Sequence, residues 1–173
     1  MKKILSILIC FFILNSSFRI NTTIDTNAKI KSVFIYNFTK YIEWPQAYKE
    51  GNFIIGFIGE SSLYSELLKM AETKKVGNQT LDVIRFQNST TISKCHVIYV
   101  CKDKSDELST VLKKVKSNST LVITEENGLA DKGSGINFII KENKQKFELN
   151  KGNVEKYKLK VSSNLESLAF TVK

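Results

Sequence analysis

Three short apolar runs constrain the fold of this chain more than any other feature. Residues 53–58 read Phe-Ile-Ile-Gly-Phe-Ile, residues 95–101 read Cys-His-Val-Ile-Tyr-Val-Cys, and residues 120–124 centre on Leu-Val-Ile. Runs this short and continuous are typical of strands that are buried on both faces, as in the middle of a parallel sheet. They predict a sheet that is covered by helices on both sides.

Helical and strand patterns fill much of the remaining chain. Apolar residues recur at spacings of three to four in four segments, which predicts amphipathic helices over residues 28–44, 63–72, 107–116 and 163–172. Residues 81–86 alternate between apolar and polar types, and residues 157–161 alternate with lysines. Both alternations predict strands, the second of them half-exposed.

The last third of the chain also contains a hairpin signal. Residues 142–144 form a polar turn between the apolar segments 136–140 and 146–149. Strands that alternate with helices and are followed by a hairpin indicate an α/β fold, and 173 residues suit one domain. We therefore expect a single three-layer α/β domain over residues 28–173, with a largely parallel central sheet and a C-terminal hairpin and helix.

The N-terminus has the pattern of an export signal. Lys2 and Lys3 precede an apolar run over residues 4–14. This run is too short for a transmembrane helix, which needs about 20 residues, but it suits the apolar region of a secretory signal peptide. We predict that residues 1–20 are a signal peptide and that the mature protein is periplasmic.

The net charge limits the class of partner. Without Lys2, Lys3 and Arg19 the formal charge falls from +9 to +6, so the mature chain is still basic. An exported protein does not meet nucleic acid as its normal partner. Acidic protein surfaces, anionic lipid headgroups and polyanions are the partners that remain.

The residues capable of chemistry do not form a catalytic set. The one histidine, His96, follows Cys95 directly. Neighbouring residues on a strand point to opposite faces, so these two side chains cannot readily form the hydrogen bond that activates a thiolate. One histidine and two separated cysteines do not make a tetrahedral metal site. We therefore expect no catalytic, metal-binding or cofactor-binding residues, and no enzymatic activity.

Two cysteines, Cys95 and Cys101, remain after removal of the signal peptide. Along one strand their Cα atoms would be about 20 Å apart at roughly 3.3 Å per residue, whereas a disulfide needs about 4.4–6.8 Å. The predicted strand therefore excludes a bridge between them. They are either buried free thiols or, with Cys95 as the candidate, partners in an intermolecular bridge.

Three segments, taken in order along the chain, resemble one known family. The first is the aromatic run of residues 31–45, which ends at the only proline; the others are residues 95–100 and residues 159–169. Together they resemble the YfiR family, also known as DUF4154. The resemblance covers about residues 29–173, which is nearly all of the mature chain.

The resemblance implies a periplasmic, non-enzymatic α/β regulator. Better-understood relatives bind the periplasmic sensor domain of a membrane diguanylate cyclase and repress it, which controls cyclic-di-GMP and biofilm formation. The implied partner is therefore a membrane signalling protein, and a homodimer is expected because members tend to dimerise. Some members carry structural disulfides, but this mature chain has no cysteine upstream of Cys95 that could bridge it.

The aromatic residues of the first segment are candidate interface or packing positions: Phe34, Tyr36, Phe38, Tyr41 and Trp44. Aromatic side chains fill protein cores and are also enriched at interfaces, so both roles stay open.

Two other functions remain as alternatives to the regulatory one. A periplasmic small-molecule binding module could use the crevice at the carboxyl ends of the parallel strands, beside Gly59, Glu60, Lys102 and Asp103. A hydrolase is disfavoured, because the serines lack both a G-x-S-x-G turn and a visible general base.

Overall fold

The computed structural model describes residues 25–173, and the predicted signal peptide lies outside this range. The described chain contains five α-helices: α1 Thr26–Tyr41, α2 Leu63–Ala71, α3 Leu108–Lys114, α4 Lys151–Glu155 and α5 Ser163–Leu168. Its strands are β1 Ile42–Glu43, β2 Phe53–Ile58, β3 Lys75–Val76, β4 Gln79–Phe86, β5 Val97–Val100, β6 Leu121–Thr124, β7 Ile136–Lys141, β8 Lys144–Leu149, β9 Lys160–Val161 and β10 Thr171–Val172. Short 3₁₀ helices occupy Gln46–Tyr48, Ser89–Thr91 and Lys102–Glu107. Between residues 25 and 173, no helix combines the length and apolar character that crossing a bilayer requires.

Eight strands form the central sheet, in the order β10-β8-β7-β6-β5-β2-β4-β3. The strands from β4 to β7 in this order are parallel. Strand β3 runs antiparallel to β4, and β8 runs antiparallel to β7 but parallel to the edge strand β10. Every residue of β5 and β6 is buried, as expected for strands covered on both faces. The crossovers from β2 to β4 and from β5 to β6 run in opposite directions across the sheet. Because crossovers between parallel strands are right-handed as a rule, opposite directions put α2 and α3 on opposite faces. The predicted three-layer α/β fold is confirmed.

The strand order creates a topological switch point between β2 and β5. From β2 the chain moves to β4 on one side, and from there it returns to build β5, β6 and β7 on the other side. Loops that leave the carboxyl ends of β2 and β5 therefore diverge. Ligand-binding crevices of open α/β sheets lie at such positions.

The C-terminal hairpin is also confirmed. Strands β7 and β8 pair from Lys141 opposite Lys144 down to Ile136 opposite Leu149. Between them Glu142 and Asn143 have φ angles of 51° and 57°, the left-handed values of a type I′ turn.

Helix α1 begins at an aspartate cap that also contacts α2. The Asp25 carboxylate accepts the backbone N–H groups of Asn27 and Ala28 at 3.0 and 3.2 Å, and the Ser62 hydroxyl donates to it at 2.6 Å. The Ser62 hydrogen bond, followed by that of the Ala28 N–H, lowers the pKa of Asp25. One carboxylate therefore holds the N-terminal ends of both helices together.

The other end of α1 corrects a predicted boundary. The aromatic pattern predicts a helix to Trp44, whereas α1 ends at Tyr41. The next two residues form β1, which pairs antiparallel with β9. Local periodicity could not reveal this pairing, because the partner strand lies far along the chain.

Two predictions near the C-terminus are wrong. The alternation over residues 157–161 predicts a strand, but only its last two residues form one, in β9, and the segment before it contains helix α4. The final apolar pattern predicts a helix through Val172, but α5 ends at Leu168 and β10 then pairs with β8. The free edge of β8 supplies backbone hydrogen-bond partners that favour the strand.

Candidate functional site

The switch point between β2 and β5 is filled by the protein's own side chains. The sequence predicts a crevice there, beside Gly59, Glu60, Lys102 and Asp103. Both carboxylate oxygens of Asp103 accept the Glu60 backbone N–H at 3.3 Å. The N–H group that could have held an anion is therefore already in use, and the crevice is occupied rather than open.

Gly59 permits this close approach of the two loops. Its φ angle is +94°, and a Cβ atom there would lie 2.4 Å from Asp103 Oδ1 and 2.8 Å from Cys101 Cβ. A side chain at this position would displace either the aspartate or the strand end. The contact between the loops after β2 and β5 therefore depends on a glycine.

Ion pairs continue this arrangement on both sides of the switch point. The Arg85 guanidinium donates to the Glu60 carboxylate. On the other side, the Lys102 backbone N–H donates to Glu125 Oε1 at 3.1 Å, and the Lys31 ammonium of α1 donates to Glu125 Oε2. Several charges at the carboxyl end of the sheet therefore pair with one another, whereas Lys102 and Glu126 form no ion pair within residues 25–173.

A cleft of about 400 Å³, here named the carboxyl-end cleft, opens beside the Lys31–Glu125 pair. Its lining includes Lys31, Lys102, Glu125, Phe138 and Gln145. The Gln145 amide donates to the carbonyls of Ile139 and Lys146, both at 3.0 Å. Its Oε1 atom is buried without a hydrogen-bond partner in residues 25–173. Such an oxygen can accept a hydrogen bond from a small ligand or from water.

His96 is held in a neutral form by two hydrogen bonds. Its Nδ1 accepts the Ile54 backbone N–H at 3.0 Å, and its Nε2–H donates to the Tyr48 carbonyl at 2.7 Å. The ring also stacks on Phe53, with centroids 4.2 Å apart. Burial lowers the pKa of His96, and the Lys94 ammonium lowers it further. Because both ring nitrogens are engaged, neither is free to act as a general base.

Both cysteines are free and buried. Burial raises the pKa of Cys95 to about 12, and burial also raises the pKa of Cys101 far above its ordinary value. Since the thiolate is the reactive form, neither sulfur is a nucleophile near neutral pH. Within residues 25–173, no three His, Cys, Asp or Glu side chains are grouped closely enough to hold a metal ion.

Phe34 and Phe38 of α1 pack against the C-terminal hairpin. Phe38 lies 5.9 Å from Phe138 and 4.9 Å from Phe147, measured between ring centroids, and Phe34 lies 6.1 and 5.6 Å from the same rings. These contacts join α1 to β7 and β8. The two phenylalanines therefore have a packing role.

The other three aromatic candidates differ in their burial and in their contacts. Trp44 is buried, packs edge-on against Phe53 at 5.1 Å, and donates its indole N–H to the His96 carbonyl at 3.3 Å. The Tyr36 hydroxyl donates to a backbone carbonyl of β3 at 3.1 Å. Tyr41 is half-buried against the core. An interface role for any of the five aromatic residues stays a prediction.

Three large apolar side chains, close together along the chain, are exposed at the outer edge of the sheet. This C-terminal edge patch consists of Leu168, Phe170 and Val172, with exposed fractions of 55%, 51% and 45%. The Lys141 and Lys146 ammonium groups each lie 5.9 Å from the Phe170 ring centroid. The helical pattern placed Leu168 and Val172 on a buried face. The alternation of Leu168, Phe170 and Val172 is the signal that could have revealed the strand.

Comparison with known proteins assigns the chain to a family. The profile of the YfiR/HmsC-like family, DUF4154, matches residues 28–170. The chain belongs to the YfiR/HmsC-like family. The predicted family membership is therefore confirmed for nearly the whole described chain.

A solved structure supports the fold. The protein described as the ABC domain in complex with L-Trp from Streptococcus pneumonia has a TM-score of 0.57 and 12% sequence identity, with 85% of this chain and 60% of that chain covered. The chain therefore spans about three fifths of the length of that protein, and at this identity the likeness shows the fold alone. No curated protein matches the sequence.

Proposed function

We propose that this protein is an exported, non-enzymatic regulatory protein that binds a membrane signalling protein and represses its cyclic-di-GMP output. The observation that carries this proposal is the match of residues 28–170 to the YfiR/HmsC-like family. The signal peptide predicted over residues 1–20 agrees with action in the periplasm.

The state of the candidate catalytic residues favours a binding role. His96 uses both ring nitrogens inside the protein, and the Cys95 thiol is buried with a raised pKa. A nucleophile and its base must reach a substrate and each other, and these two side chains do neither. Binding, rather than turnover, is the function that the described residues support.

We propose that the C-terminal edge patch contacts the partner. Monomeric proteins rarely leave several large apolar side chains grouped at the surface unless they form an interaction site. The patch also includes Val172 of the edge strand β10, which has no further strand on its outer side within residues 25–173. A partner that covers Phe170 and pairs with β10 would satisfy both features.

The proposal can be tested in the native envelope. A photo-crosslinking residue at Phe170 is expected to capture a membrane-anchored signalling protein, identified by mass spectrometry, whereas one at Lys74, which is also exposed, is not. Deletion of the gene is expected to raise cyclic-di-GMP. Absence of any membrane protein at position 170, together with unchanged cyclic-di-GMP, would contradict the proposal.

Two matched valine variants test the contact surface. Val172 in the patch and Val33 on the outer face of α1 have similar exposed fractions, 45% and 49%. Val172→Asp is expected to release the partner and raise cyclic-di-GMP as deletion does, while Val33→Asp leaves both unchanged. Equal effects of the two variants would place the contact elsewhere.

We also propose that the protein forms a homodimer, as the family resemblance implies. Light scattering of the mature protein is expected to give twice the mass of one chain. If the C-terminal edge patch is shared between the dimer and the partner, Val172→Asp will also produce a monomer.

A second candidate function is small-molecule binding in the carboxyl-end cleft. The observation in its favour is the buried, unpartnered Gln145 Oε1 atom in the lining. The similar structure from Streptococcus pneumonia is described in complex with L-Trp, so the test panel begins with amino acids. A ligand of this cleft should raise the thermal midpoint and lose affinity in Gln145→Leu. No stabilisation by any compound would contradict this candidate.

A further inference from the structure

A second cleft, of about 440 Å³, lies at the opposite end of the sheet and is lined by lysines. The 3₁₀ helix Gln46–Tyr48 precedes β2, and residues 116–119 precede β6, so this amino-end cleft lies at the amino ends of the parallel strands. Its lining includes Lys116, Lys156 and Lys158, and it includes no aspartate or glutamate. Three positive charges therefore face one cavity without a carboxylate in its wall.

These lysines are not neutralised elsewhere in the described chain. No carboxylate of residues 25–173 forms an ion pair with Lys116, Lys156 or Lys158. The acidic neighbour along the chain, Glu155, has its carboxylate 3.9 Å from the Lys151 ammonium instead. Like charges that line one cleft repel one another, and a bound multivalent anion removes that repulsion.

The backbone at Lys158 is a second, independent observation. Its φ angle is 60°, in the left-handed region, and its N–H donates to the Glu155 carbonyl at 2.9 Å just beyond the end of α4. Glycine is the usual residue at such a helix end, because a side chain there costs about 1–2 kcal/mol. The chain nevertheless has a lysine at this position. Residues held at a backbone cost cluster at functional sites.

The remaining lining suits an anion with an organic body. Ser117 and Asn118 add neutral hydrogen-bond donors at the rim, and the buried Tyr48 and Tyr157 form an apolar floor. The Tyr48 hydroxyl is fixed by the Ser119 backbone N–H at 3.0 Å. Lysine binds phosphate as a point charge, and several lysines around one cavity match the several negative oxygens of a phosphoryl group.

We propose that the amino-end cleft is a binding site for a multivalent phosphate anion. The ligand is either a soluble phosphorylated compound or the phosphate of a lipid headgroup, since both present the same chemistry. This site is separate from the C-terminal edge patch and does not depend on the proposed regulatory function.

The test compares two triple variants that lose the same charge. In one variant Lys116, Lys156 and Lys158 are changed to Gln. In the other the same change is made at Lys29, Lys74 and Lys144, which are also exposed. Pyrophosphate is titrated calorimetrically into each mature protein at constant ionic strength. The cleft variant is expected to bind at least about tenfold more weakly than the wild type, whereas the control variant is unchanged.

Vesicles distinguish the two sources of phosphate. Co-sedimentation with phosphatidylglycerol vesicles, but not with phosphatidylcholine vesicles, that depends on the three cleft lysines indicates a lipid headgroup. Pyrophosphate binding without vesicle binding indicates a soluble ligand. The proposal is overturned if neither probe binds, or if the cleft and control variants lose binding equally, since the attraction would then be a property of net charge alone.

Variants at position 158 separate binding from folding. Lys158→Gly removes the charge and also relieves the left-handed backbone, so we expect weaker pyrophosphate binding with no loss of stability in urea. Lys158→Arg keeps the charge at the same backbone cost and is expected to retain binding. Loss of binding in both variants, or in neither, would show that the charge of this side chain is not what the ligand recognises.

Discussion

The two ends of the parallel sheet satisfy their charges in opposite ways. At the carboxyl end, the Asp103 carboxylate accepts the Glu60 backbone N–H at the switch point, and the Glu125 carboxylate accepts from the Lys31 ammonium. At the amino end, buried and neutral His96 holds the loops together, while Lys116 and Lys158 face a cleft without a carboxylate. The switch point, which α/β folds use most often for ligands, is here closed by Asp103, and the carboxyl-end cleft that opens beside it contains both lysines and glutamates. The cleft whose charged lining consists only of lysines lies at the other end.

This difference changes where a ligand is expected. A helix or loop N–H that already donates to a carboxylate can bind an anion only after that carboxylate has moved away. A group of unpaired lysines needs no such exchange. The comparison therefore favours the carboxyl end for structural stability and the amino end for anion recognition.

The largest effect is expected for Gly59→Ala at the carboxyl end. The new methyl group would combine a left-handed φ of +94° with a 2.4 Å contact to Asp103 Oδ1, and we expect a loss of about 3–4 kcal/mol in the free energy of unfolding. Gly128→Ala is the control, because its φ is +80° but no atom lies within 4 Å of the added Cβ. It should cost about 1 kcal/mol in the same urea titration. Equal costs would mean that the switch-point contact does not constrain Gly59.

The next largest effect is expected for His96→Phe at the amino end. The ring shape is kept, but the Ile54 N–H loses its acceptor, and the Tyr48 carbonyl keeps only the Gln79 side-chain amide as a donor, at 3.1 Å. We expect a loss of about 2–3 kcal/mol in the free energy of unfolding, because a buried unpaired polar group costs about 1–3 kcal/mol. Urea unfolding of the two proteins measures this loss. An unchanged midpoint would show that the hydrogen bonds of His96 do not stabilise the fold.

A smaller effect is expected for Asp103→Ala, which reopens the switch point. Loss of its bond to the Glu60 N–H should cost about 0.5–1.5 kcal/mol. The variant should also gain a stabilisation by sulfate that the wild type lacks at this end, because the freed Glu60 N–H can donate a hydrogen bond to the anion. Asp106→Ala, an exposed neighbour, is the control. No gain of sulfate dependence would weaken the comparison between the two ends.

The smallest effect near neutrality is expected in the pH dependence of stability. Burial, followed by the Lys94 charge, lowers the pKa of His96 in the folded protein below its ordinary value of 6.5. As the pH falls below about 6.5, His96 is protonated in the unfolded chain but stays neutral in the folded protein. The free energy of unfolding therefore declines as the pH falls towards the pKa of His96 in the folded protein. Above 6.5 this contribution is fully present. His96→Gln should be less stable at every pH, but its free energy of unfolding, measured in urea, should change less between pH 7.5 and 5.5 than that of the wild type. An equal change in both proteins would show that other groups cause the decline.

The strands that carry the fold were predictable from local pattern. Residues 53–58 and 121–124 are continuous apolar runs because both of their faces are covered. The turn after β7 was indicated by its polar residues, of which Asn143 is a type that tolerates a left-handed backbone. Family membership was also readable, since the three resembling segments keep their order along the chain. Boundaries failed where a distant strand decided them, as at β1 and β10.

What the sequence determined by itself was therefore the class of fold, the family and the types of residue available. Only the tertiary structure decided which of them meet. Lys31 and Glu125 lie 94 residues apart and form one pair, and Lys116 and Lys158 come from separate loops to line one cleft. Periodicity reports the environment of a residue and its near neighbours, because helices and strands repeat over a few residues. Contacts between loops depend on the strand order, which no local pattern encodes.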